Sequence, residues 1–330
     1  MSTAAFSANV SRYRSALMGL AMLSIMLFHQ RFVSVFPFNA FLAFGHWAVD
    51  IFLFLSGMGM VRSLETHGTR RFYRRRLRRL LPVCVFCGTL KYMVFLAVGS
   101  PIRNLEVGLN LGPWSVFSLD LWFVYAILVY YLLSPLFCRF LKSAPLQTLL
   151  SAYAFSVLMS YAFSERVGYD WLNPLGITLY TAERLPVFLL GMLTAMHADR
   201  ISARHFRLSM CAFVAAAVLA LSLKAGVVPD VLTALVYPLL SLGVLSVLSL
   251  LTTLLPRLHR TVTAALEFVG RLSLEIYLVH AFIFASFMLT LYTKCDKFLL
   301  LTASLLLSVL VAWLCRRCVD RLMQPLESTR

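Results

Sequence analysis

Acidic residues are scarce in this chain: 14 Asp and Glu stand against 30 Lys and Arg in 330 residues. Charge of either sign is thin, at 13% of residues, and no segment is polar enough to form a soluble domain of its own. The connections hold no Pro-rich or Gly/Ser-rich tract, which argues against flexible linkers between domains. No internal repeat is visible, which weighs against a transporter built from repeats. There is also no basic face with interleaved aromatics, so the net charge of +16 does not indicate a nucleic-acid binder. Arginine-rich cytoplasmic connections on anionic lipid account for it.

What fills the chain is apolar. Hydrophobic residues make up 60% and mean hydropathy is +0.82, well above the ~45–50% apolar content of soluble domains. The fold class expected is therefore all-α and integral to the membrane, a single domain over residues 1–330. A window of ~20 residues picks out ten candidate spans, at 15–34, 41–62, 80–98, 119–138, 146–163, 183–197, 208–225, 231–255, 272–291 and 298–315. The sixth is short and begins at Pro186. The first run has no small-residue cleavage site, so it is expected to remain as a helix. Most Lys and Arg fall on one side of this map, including Arg12, Arg14, the run from Arg62 to Arg79, Arg139, Lys142 and the tail arginines. That bias puts both termini in the cytoplasm, with short segments 1–14 and 316–330 flanking the bundle.

Seven cysteines include two closely spaced pairs, Cys84 with Cys87 and Cys315 with Cys318. Both pairs fall near the cytoplasmic face, where disulfides are disfavoured. Val85 and Phe86 embed the first pair in apolar sequence, and Arg316 with Arg317 repel a cation at the second. Cysteine as a small hydrophobe explains them better than a zinc centre, and no metal is expected.

Four stretches carry chemistry. The first is the apolar run after Arg12 and Arg14, which holds no charge until His29. At 1.5 Å per residue, His29 lies about 22 Å along the helix from Arg14, and an ionisable ring at that depth points to function. The second is GHWAVDIFLFLSGMGM, where Asp50 enters a helix and Ser56-Gly57 interrupts its middle. A hairpin turn at 35–41 gives His29 and Asp50 similar depth. An aspartate beside a histidine orients the ring and strengthens it as a general base; the plainer account is a polar pair that holds two helices together.

The third stretch, Arg70 to Pro82, packs seven arginines into ten residues. Such a run commonly fixes topology alone. It also suits phosphate, which guanidinium forks match well, and Arg76 and Arg79 share a helix face. In the fourth, GRLSLEIYLVH, 3-4-3 spacing puts Gly270, Ser273, Tyr277 and His280 on one face. That stripe lines a cavity or makes a helix contact, opposite Leu272, Leu274, Ile276 and Leu278.

The segments MGLAMLSIMLFH, AVDIFLFLSGMGM, FYRRRLRRLLP, LWFVYAILVYYLLSPLF, RLPVFLLGM and LEFVGRLSLEIYLVH resemble, in the same order, the successive signatures of the acyltransferase-3 family of bacterial membrane O-acyltransferases. The likeness spans residues 12 to 285. It implies transfer of an acyl group, commonly acetyl from acetyl-CoA, to a hydroxyl of a surface polysaccharide, glycolipid or related glycan at the bacterial inner membrane. On this resemblance His29 is the catalytic residue, with Arg76 and Arg79 as the arginine pair before the third span. Asp50, Trp122, Arg184, Tyr277 and His280 match recurrent polar or aromatic positions. Trp122 and Arg184 are thereby expected to bind substrate, and Tyr277 or His280 to donate to an oxyanion. Two departures stand out. Met18 occupies the position where the family often carries an arginine, with Arg14 one turn earlier, and LWFVYAILVYY lacks an acidic residue common in some members. No Ser or Cys stands out as a nucleophile. The rival classes are a lipid or glycan transporter and an inactive membrane scaffold.

Overall fold

The computed structural model describes residues 3–30, 33, 48–98, 122–167, 174–198 and 201–328. Among them all regular structure is helical: α1 Thr3–Arg12, α2 Arg14–His29, α3 Ala48–Val98, α4 Trp122–Ser143, α5 Pro145–Val167, α6 Pro174–Met196, α7 Ala203–Lys224, α8 Val236–Leu254, α9 Arg260–Arg271, α10 Ser273–Thr290 and α11 Lys297–Ser328. Two short 3-10 turns, Asp230–Leu235 and Leu255–Arg257, bracket α8.

By length and composition, four helical stretches qualify as membrane spans: Trp122–Ser143, Ala203–Leu223, Val236–Arg257 and Lys297–Gln324. The pair α9 and α10, bent by 80°, counts as a fifth if taken as one span. That falls short of the ten spans expected from the sequence. Several of the missing ones have a visible reason. α2 is apolar but only 16 residues long. Expected spans two and three are joined in one 51-residue helix, α3, with the arginine run inside it. α6 carries Glu183 and Arg184 at mid-length and runs straight through Pro186, where the sixth span was expected to begin.

α3 is broken at Gly68, whose φ of 68° and ψ of 168° lie outside the helical region. Glycine takes positive φ without a Cβ clash, so this break divides the first apolar half of α3 from its arginine-rich continuation. α1 is no loose leader. Phe6 and Val10 are buried, Phe6 meets Phe206 edge-on at 5.1 Å, and Arg62 donates to the Ser11 hydroxyl at 2.9 Å. At the other end, α11 continues through most of what was expected as a tail.

The packing is chiefly pairwise: α3 on α6, α2 on α9, α7 on α8, α5 on α6 and α10 on α11. Large apolar side chains such as Leu132, Leu146, Leu221 and Leu306 face outward, as a hydrocarbon surround requires. α2 and α9 cross with almost no space between them. A Cβ on Gly19 would sit 1.9 Å from the Leu266 carbonyl oxygen, and one on Gly270 would sit 1.8 Å from that of Ser15. Close backbone approach between small residues is a common way for helices to associate in lipid. Gly270 thus serves this crossing and does not line a cavity with Ser273, as its spacing suggested. The stripe is cut at Leu272, where the chain turns from α9 into α10.

Candidate active site

A cavity of about 770 Å³, its open mouth included, runs between α2, α3, α4 and α10. At one end stand Arg14, Arg76 and Arg79, and no carboxylate is among the residues lining it. Arg14 Nη1 donates to the Leu55 carbonyl at 2.7 Å, and Arg76 Nη2 to that of Gly59 at 3.4 Å. Both cations therefore rest on the same stretch of α3 backbone. Arg76 also lies over the Tyr131 ring at 5.5 Å and the Phe72 ring at 5.8 Å. Burial holds the Arg76 guanidinium below its ordinary value; Tyr131 pulls the other way, while Arg79 and Arg75 lower it further. Three guanidinium groups with no acidic lining residue form a site suited to an anion.

The walls change character inward. α2 contributes Met18, Met22 and Ile25, one helical stripe continuing from Arg14. Opposite them lie Val49, Phe52 and Ser56 from α3, Phe123, Ile127 and Tyr131 from α4, and Ser273, Leu274 and Tyr277 from α10. The surface is mostly apolar with two hydroxymethyl groups and two phenols, a mixture that suits a chain with occasional polar groups. Leu274, assigned by its spacing to the opposite face, lies on the cavity wall instead, and Ser56 sits on a continuous helix where an interruption was expected.

Past Ile25 on α2 and past Tyr277 on α10 come His29 and His280. His280 Nε2 lies 3.0 Å from His29 Nδ1, with ring centroids 5.0 Å apart. His280 is 1% exposed, and its Nδ1 lies 3.0 Å from the Ile276 carbonyl oxygen and 2.9 Å from that of Tyr277. The Tyr277 hydroxyl accepts from the Phe123 N–H at 3.4 Å. His29 is the last residue of α2; the helix stops here, short of residue 34 where the sequence put its end. The C-terminal end of a helix favours positive charge, which suits a ring that must take up a proton.

Asp50 is not the partner of His29. Its carboxylate Oδ1 lies 3.4 Å from Arg184 Nε, and both side chains are buried. Helical geometry explains the difference. Val49 and Phe52 face the cavity, and Asp50, rotated by about 100° from Val49, faces α6. Similar depth does not imply a shared face.

Trp122 and Arg184 fall in this second cluster, outside the cavity lining. The Arg184 guanidinium lies over the rings of Trp122 at 5.0 Å, Tyr180 at 5.6 Å and Tyr237 at 5.0 Å. Glu183, which no motif in the sequence marks out, pairs with Arg184 at 3.7 Å and accepts from the Ser160 hydroxyl at 2.9 Å. With Arg184 at 2% exposure, the cluster holds α3, α4, α5, α6 and α8 together from inside. The stripe Arg14, Met18, Met22 is readable from its spacing, yet Arg14 and Met18 stand out only as a charge and as a departure from the family pattern, and Met22 not at all.

The cysteines are all free thiols. Among the described residues, no group of three or more His, Cys, Asp or Glu side chains is arranged to hold a metal ion.

Comparison with protein families gives a match to an acyltransferase domain over residues 16–317, nearly the whole chain. Comparison with curated proteins and with solved structures gives no match.

Proposed function

The chain belongs to the acyltransferase-3 family, and from that membership we propose that it moves an acyl group, most simply acetyl, from acyl-CoA to a hydroxyl of a cell-surface glycan or glycolipid. The observation that carries the reading is a cavity with three arginines at one end and Ile25 and Tyr277 among its inner walls, one turn short of the paired rings of His29 and His280. Along α2 the distance from Arg14 to His29 is about 22 Å, the scale of an extended pantetheine arm. Arg14, Arg76 and Arg79 take the phosphates of the donor. Ser56, Ser273 and Tyr131 offer hydrogen bonds to the amides of its arm, between the methionine and phenylalanine walls.

Chemistry then falls at the inner end. His29 removes the proton of the acceptor hydroxyl, and the alkoxide oxygen attacks the thioester carbonyl. The carbonyl oxygen takes up negative charge and is met by the Tyr277 hydroxyl. Collapse breaks the carbon–sulfur bond, and the leaving thiolate receives the proton from His29, giving free CoA thiol and the ester. His280 is engaged with His29 through Nε2, so the oxyanion role falls to Tyr277. The arginine-rich half of α3 lies on the cytoplasmic side of the inner membrane, where the donor is made, and both termini lie there with it.

Purified protein in lipid nanodiscs, given acetyl-CoA and a hydroxylated glycan fraction from the envelope, tests this. Thiol release that depends on the acceptor is expected, and His29→Ala should reduce it by ~10²–10⁴-fold. Thiol release no greater than from empty nanodiscs would sink the reading, and near-normal turnover by the variant would make His29 structural.

A further inference from the structure

The two histidines are linked in a way that assigns a proton to each. His280 Nδ1 lies within 3.0 Å of two backbone carbonyl oxygens, those of Ile276 and Tyr277. A carbonyl oxygen only accepts, so His280 Nδ1 carries a hydrogen. In a neutral imidazole that leaves the lone pair on Nε2. Nε2 faces His29 Nδ1 at 3.0 Å, and the hydrogen between them must then belong to His29. We infer that His280 is a positioning residue that fixes His29 in the tautomer with its proton on Nδ1, so that Nε2 is the basic nitrogen.

This deepens the acyl-transfer reading and rests on it for its kinetic consequence alone. The order is backbone carbonyls, His280, His29, acceptor hydroxyl. It supplies the third group that holds a general base in orientation, a task an aspartate performs in the Ser-His-Asp triad and one that Asp50 does not perform here. When His29 Nε2 takes the acceptor proton, its Nδ1–H still donates to His280, so the ring need not turn during the reaction. The competing arrangement is the reverse, with His280 protonated on both nitrogens and donating to His29. It places a charged imidazolium in a buried site with its Nδ1–H on two neutral carbonyls, which is costly.

Solid-state ¹⁵N NMR on the full chain in lipid bilayers, with ¹⁵N-labelled histidine, separates the two. The His29 signals are identified by their loss in His29→Gln. The wild type should show His29 with a protonated Nδ1 and a bare Nε2. His280→Leu should move the proton toward Nε2. His280→Gln, which sets a carbonyl oxygen near the place of the lost ring nitrogen, should keep it on Nδ1. In acyl transfer, His280→Leu should lower kcat by about 10²-fold with an unchanged donor KM, and His280→Gln should recover most of that loss. A wild-type His29 protonated on Nε2, or a tautomer and kcat indifferent to His280→Leu, overturns the inference. If His280→Leu does not fold, the wild-type and His280→Gln spectra decide. The spectra need no turnover, so failure of the acyl-transfer reading leaves them standing, whereas a wrong tautomer removes this inference alone.

Discussion

Arg14 Nη1 donates to the Leu55 carbonyl at 2.7 Å, and this bond carries a charge from the first turn of α2 into the cavity wall. One turn further in stands Met18, where the family often has an arginine. Met18 lines the same cavity, so the cation and the apolar side chain follow each other along one helical stripe. Arg14 shares its end of the cavity with Arg76 and Arg79, about 22 Å along α2 from His29.

Removing Arg14 should affect binding and spare chemistry. Arg14→Ala is expected to raise the KM for acyl-CoA on the order of 10–100-fold, since a charge-assisted hydrogen bond contributes ~1.5–3 kcal/mol. With kcat little changed, the loss is one of uniform binding. Met18→Arg in the same background should recover affinity. Steady-state kinetics with acetyl-CoA read both, and a fall in kcat at constant KM would move Arg14 into the chemical step.

The arginine pair should show itself without turnover. Burial and its cationic neighbours hold Arg76 below its ordinary value, so an anion bound beside it would favour its charged form. CoA is expected to raise the thermal midpoint of the wild type in detergent, by mass action on the folded state. The double variant Arg76→Ala with Arg79→Ala should lose that shift. An equal shift in both proteins would return the arginine run to a topology signal.

Much of this site was legible in residue spacing. His29, the three arginines, Tyr277 and His280 were all singled out, because ionisable groups are conspicuous against apolar sequence and helical period links them. What spacing cannot supply is rotation between helices. Asp50 and His29 sit at similar depth, yet the face of α3 that bears Asp50 turns to α6, and nothing local to either residue says so. The end of α2 at His29 is hidden for a related reason, since Phe32, Val33 and Val35 resume the apolar pattern after Gln30 and Arg31. The bend at Leu272 has no proline, and the 3-4-3 spacing runs across Gly270-Arg271, so Gly270 reads as part of the stripe that Ser273 begins. The helical run that follows the break at Gly68 is hard to foresee because seven arginines look like a connection, although arginine is a good helix former.

The second polar cluster should govern stability more than catalysis. Arg184 is buried with Asp50 and Glu183 at 3.4 and 3.7 Å, and breaking such a buried pair costs about 3–5 kcal/mol. Arg184→Met is expected to lower the thermal midpoint sharply, because it leaves two buried carboxylates uncompensated. Adding Asp50→Asn should restore part of the loss by removing one of them. Donor KM in Asp50→Asn should match the wild type, and an increase like that of Arg14→Ala would bring the cluster into donor binding.

The tight crossing of α2 and α9 connects fold to site, and it can be tested by a single methyl group. A Cβ at Gly19 falls 1.9 Å from the Leu266 carbonyl oxygen, a rigid backbone atom that cannot swing aside as a side-chain tip would. Gly19→Ala must push the helices apart, at a cost of about 1–3 kcal/mol for overpacking. The displacement would carry Arg14, Met22 and His29 with it, because all lie on α2. Loss of stability should therefore come with a lower kcat and a higher donor KM together. Gly68→Ala is the control. Nothing lies within 4 Å of its added Cβ, so the expected cost is that of the backbone alone, held at φ 68° and ψ 168° in a region almost confined to glycine, about 1–3 kcal/mol. Thermal unfolding in detergent and donor kinetics on both variants read the difference. If Gly19→Ala kept wild-type stability and kinetics, the α2–α9 contact would be looser than described, and the position of His29 would not depend on it.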